Sequence, residues 1–411
     1  MSFAARFQSY LDDLTVAVGN HKRRHIGFKD YCAALTLPIE RKSLEPLAAS
    51  VDPENVQAKH QSLHNFVSNA RWSDRVVLDR VTDQFVTSLP HDEALYWIVD
   101  DTGIPKKGPH SVGVSHQYCG QLGKQANCQV AVSLSLACES ASLPIDYRLY
   151  LPKGWVDDEV LRKKTKVPEH IEFQTKPEIA LTQIRDALKR GIEPGVVIAD
   201  AGYGYDSAFR DALEELGLNY VVGIQSSTRV ARADEPTQKA RSVETLLNEL
   251  DRRSFSHITW RRGTNAPLHG WFARVRVRAT TGETEHGGVR AEQWLLIEKS
   301  PGETSASYFL ATLPASVSMQ DLVSTTKMRW RIERDYQELK QEVGLNHFEG
   351  RSWVGFHHHA TLCIAVYAFL TLERLRHPGE EKNPSTKATC LTRRLYPARL
   401  PSACRDMLRT Q

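Results

Sequence analysis

Two short apolar runs that each end in an aspartate set the strongest limit on what this chain can fold into. In LYWIVDDTGIPKKG the run Leu95 to Val99 ends in Asp100 and Asp101, then meets Thr102, Gly103 and Pro105, which predict a turn. In PGVVIADAGYGYDSAFRDAL the run Val196 to Ala199 ends in Asp200, ahead of a Gly-rich turn and a helical pattern. Apolar runs this short, bounded by turn residues, read as buried strands, and open α/β sheets carry their functional groups at the carboxyl ends of such strands.

A third carboxylate stands on a helical pattern, MRWRIERDYQELKQEVGL, residues 328 to 345. Ile332, Tyr336, Leu339 and Val343 recur at four-three-four spacing, so one apolar stripe is to be buried. Arg329, Glu333 and Lys340 form a second line, which places a carboxylate between two cations. Alone, that line would be an exposed ion-pair ladder. Together with two strand-end aspartates it suggests a site.

Three converging carboxylates repel and take up protons unless something compensates their charge. A divalent cation does so, and hard oxygen ligands suit Mg²⁺ or Mn²⁺. Two such ions roughly 4 Å apart can hold the attacking and leaving oxygens of a phosphodiester. The order Asp, Asp, helical Glu therefore predicts phosphoryl transfer, with Asp100, Asp200 and Glu333 as catalytic and metal-holding acids.

The motifs resemble those of DDE transposases of bacterial insertion sequences, most nearly the insertion sequence 701 family and its relatives in the insertion sequence 4 group. Those relatives carry Y-x2-R-x3-E-x6-K on the helix of the last acid; Arg329, Glu333 and Lys340 match its spacing, and Thr326 stands in the Tyr position. DDTGIPKKG, HSVGVSHQYCGQLGKQANCQ and IADAGYGYDSAFRDAL extend the resemblance over roughly residues 90 to 375. The resemblance implies cleavage of the element's ends and joining of the freed 3′-OH to target DNA, at least a dimer on DNA, and phosphate contacts from Arg329 and Lys340. Trp330 matches an aromatic beside the signature Arg and would stack on a flipped base, with a core Trp as the alternative. The family's D-x-T pattern selects Asp100 as the first acid, with Asp101 as its alternative.

The remainder of the chain fits a DNA-handling protein without demanding one. Lys and Arg number 53 against 49 Asp and Glu, a net charge of +4 over 411 residues, so local clusters must carry the argument. Seven cysteines occur singly, which disfavours a structural zinc site. With no signal-peptide pattern and no long apolar run, a cytoplasmic protein without membrane contact is expected. GQLGKQ lacks phosphate-loop spacing, and ATP binding is not expected. His357, His358 and His359, being consecutive, point around a helix and are not read as a metal site.

In fold class the chain reads as α/β: a ribonuclease-H-like core, first part 91–225 and last part 319–378, with an inserted β-rich domain at 226–318. An N-terminal helical DNA-binding domain, 1–90, precedes it, and a basic tail, 379–411, follows. The strand pattern Val130, Val132, Leu134, Leu136 predicts a half-buried antiparallel strand. DNA contacts are expected from Lys106 and Lys107 and from Arg274, Arg276 and Arg278, which alternate along one strand. Two other functions remain open: a nuclease of the same superfamily that cuts without joining, and a domesticated DNA-binding regulator, which would need none of the three acids.

Overall fold

The computed structural model describes residues 1–235, 239–263, 266–280, 291–299 and 305–377. The expected basic tail, 379–411, lies outside the described residues. Five helices open the chain, α1 (Phe3–Thr15), α2 (Lys22–Leu35), α3 (Leu44–Val51), α4 (Val56–Ser68) and α5 (Asp74–Val86). Strands β1 (Tyr96–Pro105), β2 (Ser115–Cys119), β3 (Lys124–Ala137) and β4 (Ser142–Leu149) follow, then short helices α6 (Lys153–Val156) and α7 (Glu159–Lys164). Next come α8 (Lys176–Lys189), β5 (Val196–Ala199), α9 (Ala201–Gly204), α10 (Ser207–Glu215) and β6 (Tyr220–Ile224). A strand-rich stretch holds β7 (Arg229–Arg232), β8 (Arg241–Ser242), α11 (Val243–Glu249), β9 (Ser256–Arg262), β10 (Pro267–Ala279), β11 (Gln293–Lys299) and β12 (Ala306–Ala311). Helices α12 (Met319–Lys327), α13 (Trp330–Glu338) and α14 (Trp353–Arg376) complete it. Among the described residues no helix is long and apolar enough to cross a membrane.

The chain divides into two compact units, one of Met1–Glu93, Asp101–Thr175 and the stretch from Ile332 onward, the other of Ala94–Asp100 and Lys176–Arg331. In the first, α14 is the central element. It is apolar on all sides and buried from Phe356 to Glu373, as a helix surrounded by partners must be. Phe3, Phe7 and Tyr10 of α1 set their rings 5.1, 4.8 and 5.4 Å from that of Phe369. Tyr10 Oη donates to the Ala365 carbonyl at 2.7 Å, and Arg6 Nε donates to the buried Glu373 carboxylate at 2.9 Å. The amino-terminal helices thus pack onto α14 within one unit.

The three consecutive histidines each serve a different neighbour. His357 Nε2 accepts from Leu149 N, His358 sits between the carbonyls of Val67 and Trp72, and His359 meets Tyr31 Oη at 2.9 Å and the Gly344 carbonyl at 3.0 Å.

Strand β3 departs from expectation. Cys128 to Ala137 are buried without alternation, because β3 is an interior strand flanked by β2 and β4, and α5 and α14 pack on β4. The turn expected after Asp101 is also absent, since β1 runs on to Pro105. Gly103 is there for close approach: a Cβ would lie 3.0 Å from Cys119 Sγ.

In the second unit, β1 pairs in parallel with β5, β5 in parallel with β6, and β6 continues antiparallel through β12, β11 and β10 to β7 and β8, with β9 also on β10. The strand-rich stretch therefore extends the same sheet through the β12 to β6 pairing. Its core sets Phe272, Leu296, Ala311 and Leu322 against one another.

Burial carries a pH consequence. It drives the His359 imidazole down to about 4 and pushes His357 and His358 downward too. A depressed folded-state value means that the unfolded chain binds the proton first, so stability falls as pH drops from about 6.5 towards about 4. His359 alone accounts for up to about 3 kcal/mol over that range. Urea midpoints measured from pH 7.5 to 4.5 should fall steeply in the wild type and less in His359→Gln. Parallel curves would assign the acid sensitivity elsewhere.

Candidate active site

In the second unit the register of the parallel strands decides the geometry. Val99 lies opposite Ala199, so Asp100 and Asp200 follow on the next rung of neighbouring strands. Such strands run about 4.8 Å apart, which brings two carboxyl groups side by side where the parallel pairing ends. Glycines make this pairing possible: a Cβ on Gly195 would fall 2.4 Å from the Leu95 carbonyl oxygen. Another on Gly204 would fall 2.0 Å from that of Gly223, so α9 is held tightly against β6 just past Asp200.

Asp200 caps α9, its Oδ1 accepting from Gly202 N at 2.8 Å. Among the described residues its Oδ2 accepts no hydrogen bond. Asp100 is buried, 9% exposed, and its Oδ2 accepts from Arg329 Nη1 at 2.7 Å. A charge-assisted contact of that length compensates one of the two adjacent acids.

This position for Arg329 corrects the single helix expected over 328 to 345. Helix α12 stops at Lys327, Met328 and Arg329 form a bend, and α13 starts at Trp330. The far end differs as well, because Leu339–Val343 is a π-helical turn whose i→i+5 bonding ends the 100° count. Lys42 explains that end: its buried ammonium donates to the Glu342 and Leu35 carbonyls, and Gly344 takes φ +86° with Lys42 packed where a Cβ would stand.

Within the first unit α13 is anchored by polar bonds as well as apolar ones. Ile332 and Leu339 are fully buried. Asp335 Oδ1 accepts from Ser142 Oγ at 2.6 Å and Tyr367 Oη at 2.7 Å, and Tyr336 Oη lies 2.6 Å from Ser133 Oγ. Glu333 sits in the first turn on the exposed face. Lys340 Nζ donates to the Gly103 carbonyl at 3.0 Å, which ties the π turn to β1. Asp101, next along β1, is half-buried.

The other expected DNA contacts are placed as follows. Trp330 has the guanidinium groups of Arg261 and Arg331 at 3.8 and 4.6 Å from its ring. Arg274 and Arg276 lie over Trp294 at 4.5 and 4.8 Å; Arg274 donates to the Val317 carbonyl, Arg276 to the Glu292 carbonyl, and Arg278 pairs with the Glu292 carboxylate. Lys106 Nζ donates to the Phe348 carbonyl at 2.7 Å and burial draws it down to about 8, whereas Lys107 is exposed. Thr326, in the signature's Tyr position, is buried and donates back to the Leu322 carbonyl at 2.7 Å, a local helix bond. The residues missed from sequence are Asp335 and Lys42. Their partners lie on distant segments, and the residues themselves read as surface charge.

Among the described residues no three His, Cys, Asp or Glu side chains form a group able to hold a metal ion. Asp100 and Asp200 supply the right donor chemistry, two carboxylates on one rung just past the parallel pairing of β1 and β5, and Arg329 occupies one of them.

Residues 10–267 match the DDE superfamily endonuclease family. The chain is 32% identical over 311 residues to a protein of Microchaete diplosiphon described as a probable transposase for insertion sequence element IS701, covering 75% of this chain and 73% of that one. It therefore belongs to the DDE superfamily endonucleases and, within them, to the IS701-like transposases. A solved structure of the piggyBac transposase synaptic complex with hairpin DNA spans 95% of this chain and 76% of its own at 12% identity and TM-score 0.46, too loose to define a shared site. The family match ends before Glu333, while Asp100 and Asp200 fall inside it.

The anchoring of α13 is testable. Asp335→Ala leaves the Ser142 and Tyr367 hydroxyls buried without an acceptor and should cost about 3 kcal/mol, whereas Asp335→Asn keeps an acceptor and should cost about 1. Equal losses in denaturant midpoint would mean that the charge, not the two hydroxyl bonds, holds the helix.

Proposed function

We propose that this protein is a metal-dependent DNA transposase that cleaves the ends of its insertion sequence and joins the freed 3′-OH groups to target DNA. The observation that carries the reading is the equal rung of Asp100 and Asp200 beside the parallel pairing of β1 and β5, where β5 ends and β1 runs on. The order of the strands and helices around them supports a ribonuclease-H-like core, and the IS701-like relationship supports transposition over simple cutting.

Asp100, Asp200 and Glu333 would hold Mg²⁺ or Mn²⁺, as one ion or two, and the metal would supply charge stabilisation and an activated water or 3′-hydroxyl. The chain's own residues orient the site. Gly202 N fixes Asp200 Oδ1 so that Oδ2 stays available, and Arg329 Nη1 donates to Asp100 Oδ2 and offsets its charge. Arg329 and Lys340 would then exchange present partners for DNA phosphate, with Trp330 stacking on a base beside the cut. Because two ends must be cut and joined together, a homodimer on DNA is the smallest competent assembly.

Duplexes taken from the DNA that flanks the reading frame provide the test. Asp100→Asn, Asp200→Asn and Glu333→Gln should each abolish cleavage and joining in Mg²⁺ while binding stays within about twofold, because phosphate contacts come from Lys and Arg elsewhere. Asp101→Asn should retain part of the activity. Binding lost together with cleavage would make the acids structural, and cutting without joining would favour the nuclease.

A further inference from the structure

A cavity of about 460 Å³ opens in the first unit, separate from the residues named above as acids. Three chain segments line it: Arg41, the stretch from Pro105 through Ser111, and the stretch from Asn346 through Arg351. Its charged lining is one-sided, with Arg41, Lys106, Lys107 and Arg351 against the single carboxylate of Glu349, which Arg41 pairs. His110 and His347 add two imidazoles.

The walls are built rather than incidental. Val112 N donates to the Arg351 carbonyl at 3.1 Å, Lys42 N to His347 Nδ1 at 3.0 Å, and Lys106 Nζ to the Phe348 carbonyl, so the segments are pinned to one another. Asn346 has a buried Oδ1 with no hydrogen-bond partner among the described residues. Turning that amide over puts an N–H donor at the same point, which is what an anionic oxygen requires. Crowded cations also act on one another: burial, then Lys42 and Arg41, hold His347 below its usual value. An entering anion relieves all three conditions together.

We propose that this basic cavity is a binding pocket for the sugar-phosphate backbone of a DNA strand, with Lys106, Lys107, Arg351 and Asn346 contacting phosphate. The assignment rests on the transposase reading and names a contact region that the acids do not provide. Arg41 and Arg351 become part of the DNA surface, alongside the lysine pair that follows β1. Backbone contacts of this kind set position and affinity without reading sequence.

Anisotropy of a fluorescein-labelled DNA duplex and of its separated single strand, titrated with the full chain at several salt concentrations, tests it. The variants Lys107→Ala and Arg351→Ala change exposed side chains and should fold normally; Lys106→Met keeps the buried stem. Each should weaken binding about tenfold near 0.1 M salt and flatten the log-log salt slope by roughly 0.7 to 0.9. Asn346→Leu should weaken binding with no change of slope. Unchanged affinity and slope in both Lys107→Ala and Arg351→Ala, while the wild type still binds and cuts, would overturn the pocket and leave the function standing. A wild-type chain that neither binds nor cuts DNA would overturn both.

Discussion

Everything in the candidate site follows from placing two carboxylates on one rung of a parallel strand pair. At a spacing of about 4.8 Å the repulsion between them is of order several kcal/mol at a protein-like dielectric, so the fold must supply positive charge at that point. Arg329 does this for Asp100 and the Gly202 amide does it for Asp200. The two solutions are unequal. A guanidinium on a long side chain can be withdrawn, whereas the amide belongs to a backbone turn locked by Gly204 and Gly223. The pair is therefore asymmetric before any ligand arrives: one acid is held by the fold and the other by a side chain that has a second possible use.

The helix after the bend obeys a different constraint. Its first turn exposes Glu333, yet its buried face mixes Ile332 and Leu339 with the polar Asp335 and Tyr336. An apolar stripe can slide along a groove at little cost, but Ser142 and Tyr367 on one carboxylate, with Ser133 on the neighbouring hydroxyl, fix both rotation and height. The π turn then ends the helix on Lys42, whose buried ammonium would be intolerable without carbonyl acceptors. Exposure of Glu333 is thus a consequence of how firmly its opposite face is tied.

What the sequence made legible was what local pattern alone determines. The two buried strands that carry the aspartates, the crossover helix before Asp200 and the buried stripe Ile332, Tyr336, Leu339, Val343 all follow from the periods 2 and 3.6 and from apolar runs. What failed depended on distant partners. The bend at Met328 and Arg329 has no proline or glycine to announce it, and Gly103 looked like a turn residue because its neighbour Cys119 is remote in sequence. β3 follows the same rule, since alternation of Ser with Val and Leu does not reveal that both faces are covered. Asp335 is the sharpest case: an acid inside RIERDYQEL reads as surface charge until the two hydroxyls that receive it are located.

The arginines singled out from the sequence each have protein partners. Arg274 and Arg276 lie on Trp294, Arg278 pairs with Glu292, Lys327 pairs with Glu298, and Arg329 holds Asp100. A cation already bonded to protein gains less from a phosphate, because the first partner must be given up or shared. The exchange is cheap where that partner is exposed, as with Glu292, and dear where it is buried, as with Asp100 and Glu298. Of the β10 arginines, Arg276 and Arg278 hold the exposed Glu292, whereas Arg274 is bonded to the Val317 carbonyl. Arg329 would leave Asp100 only if something equally positive took its place, which makes its movement conditional on a cation reaching the acids first.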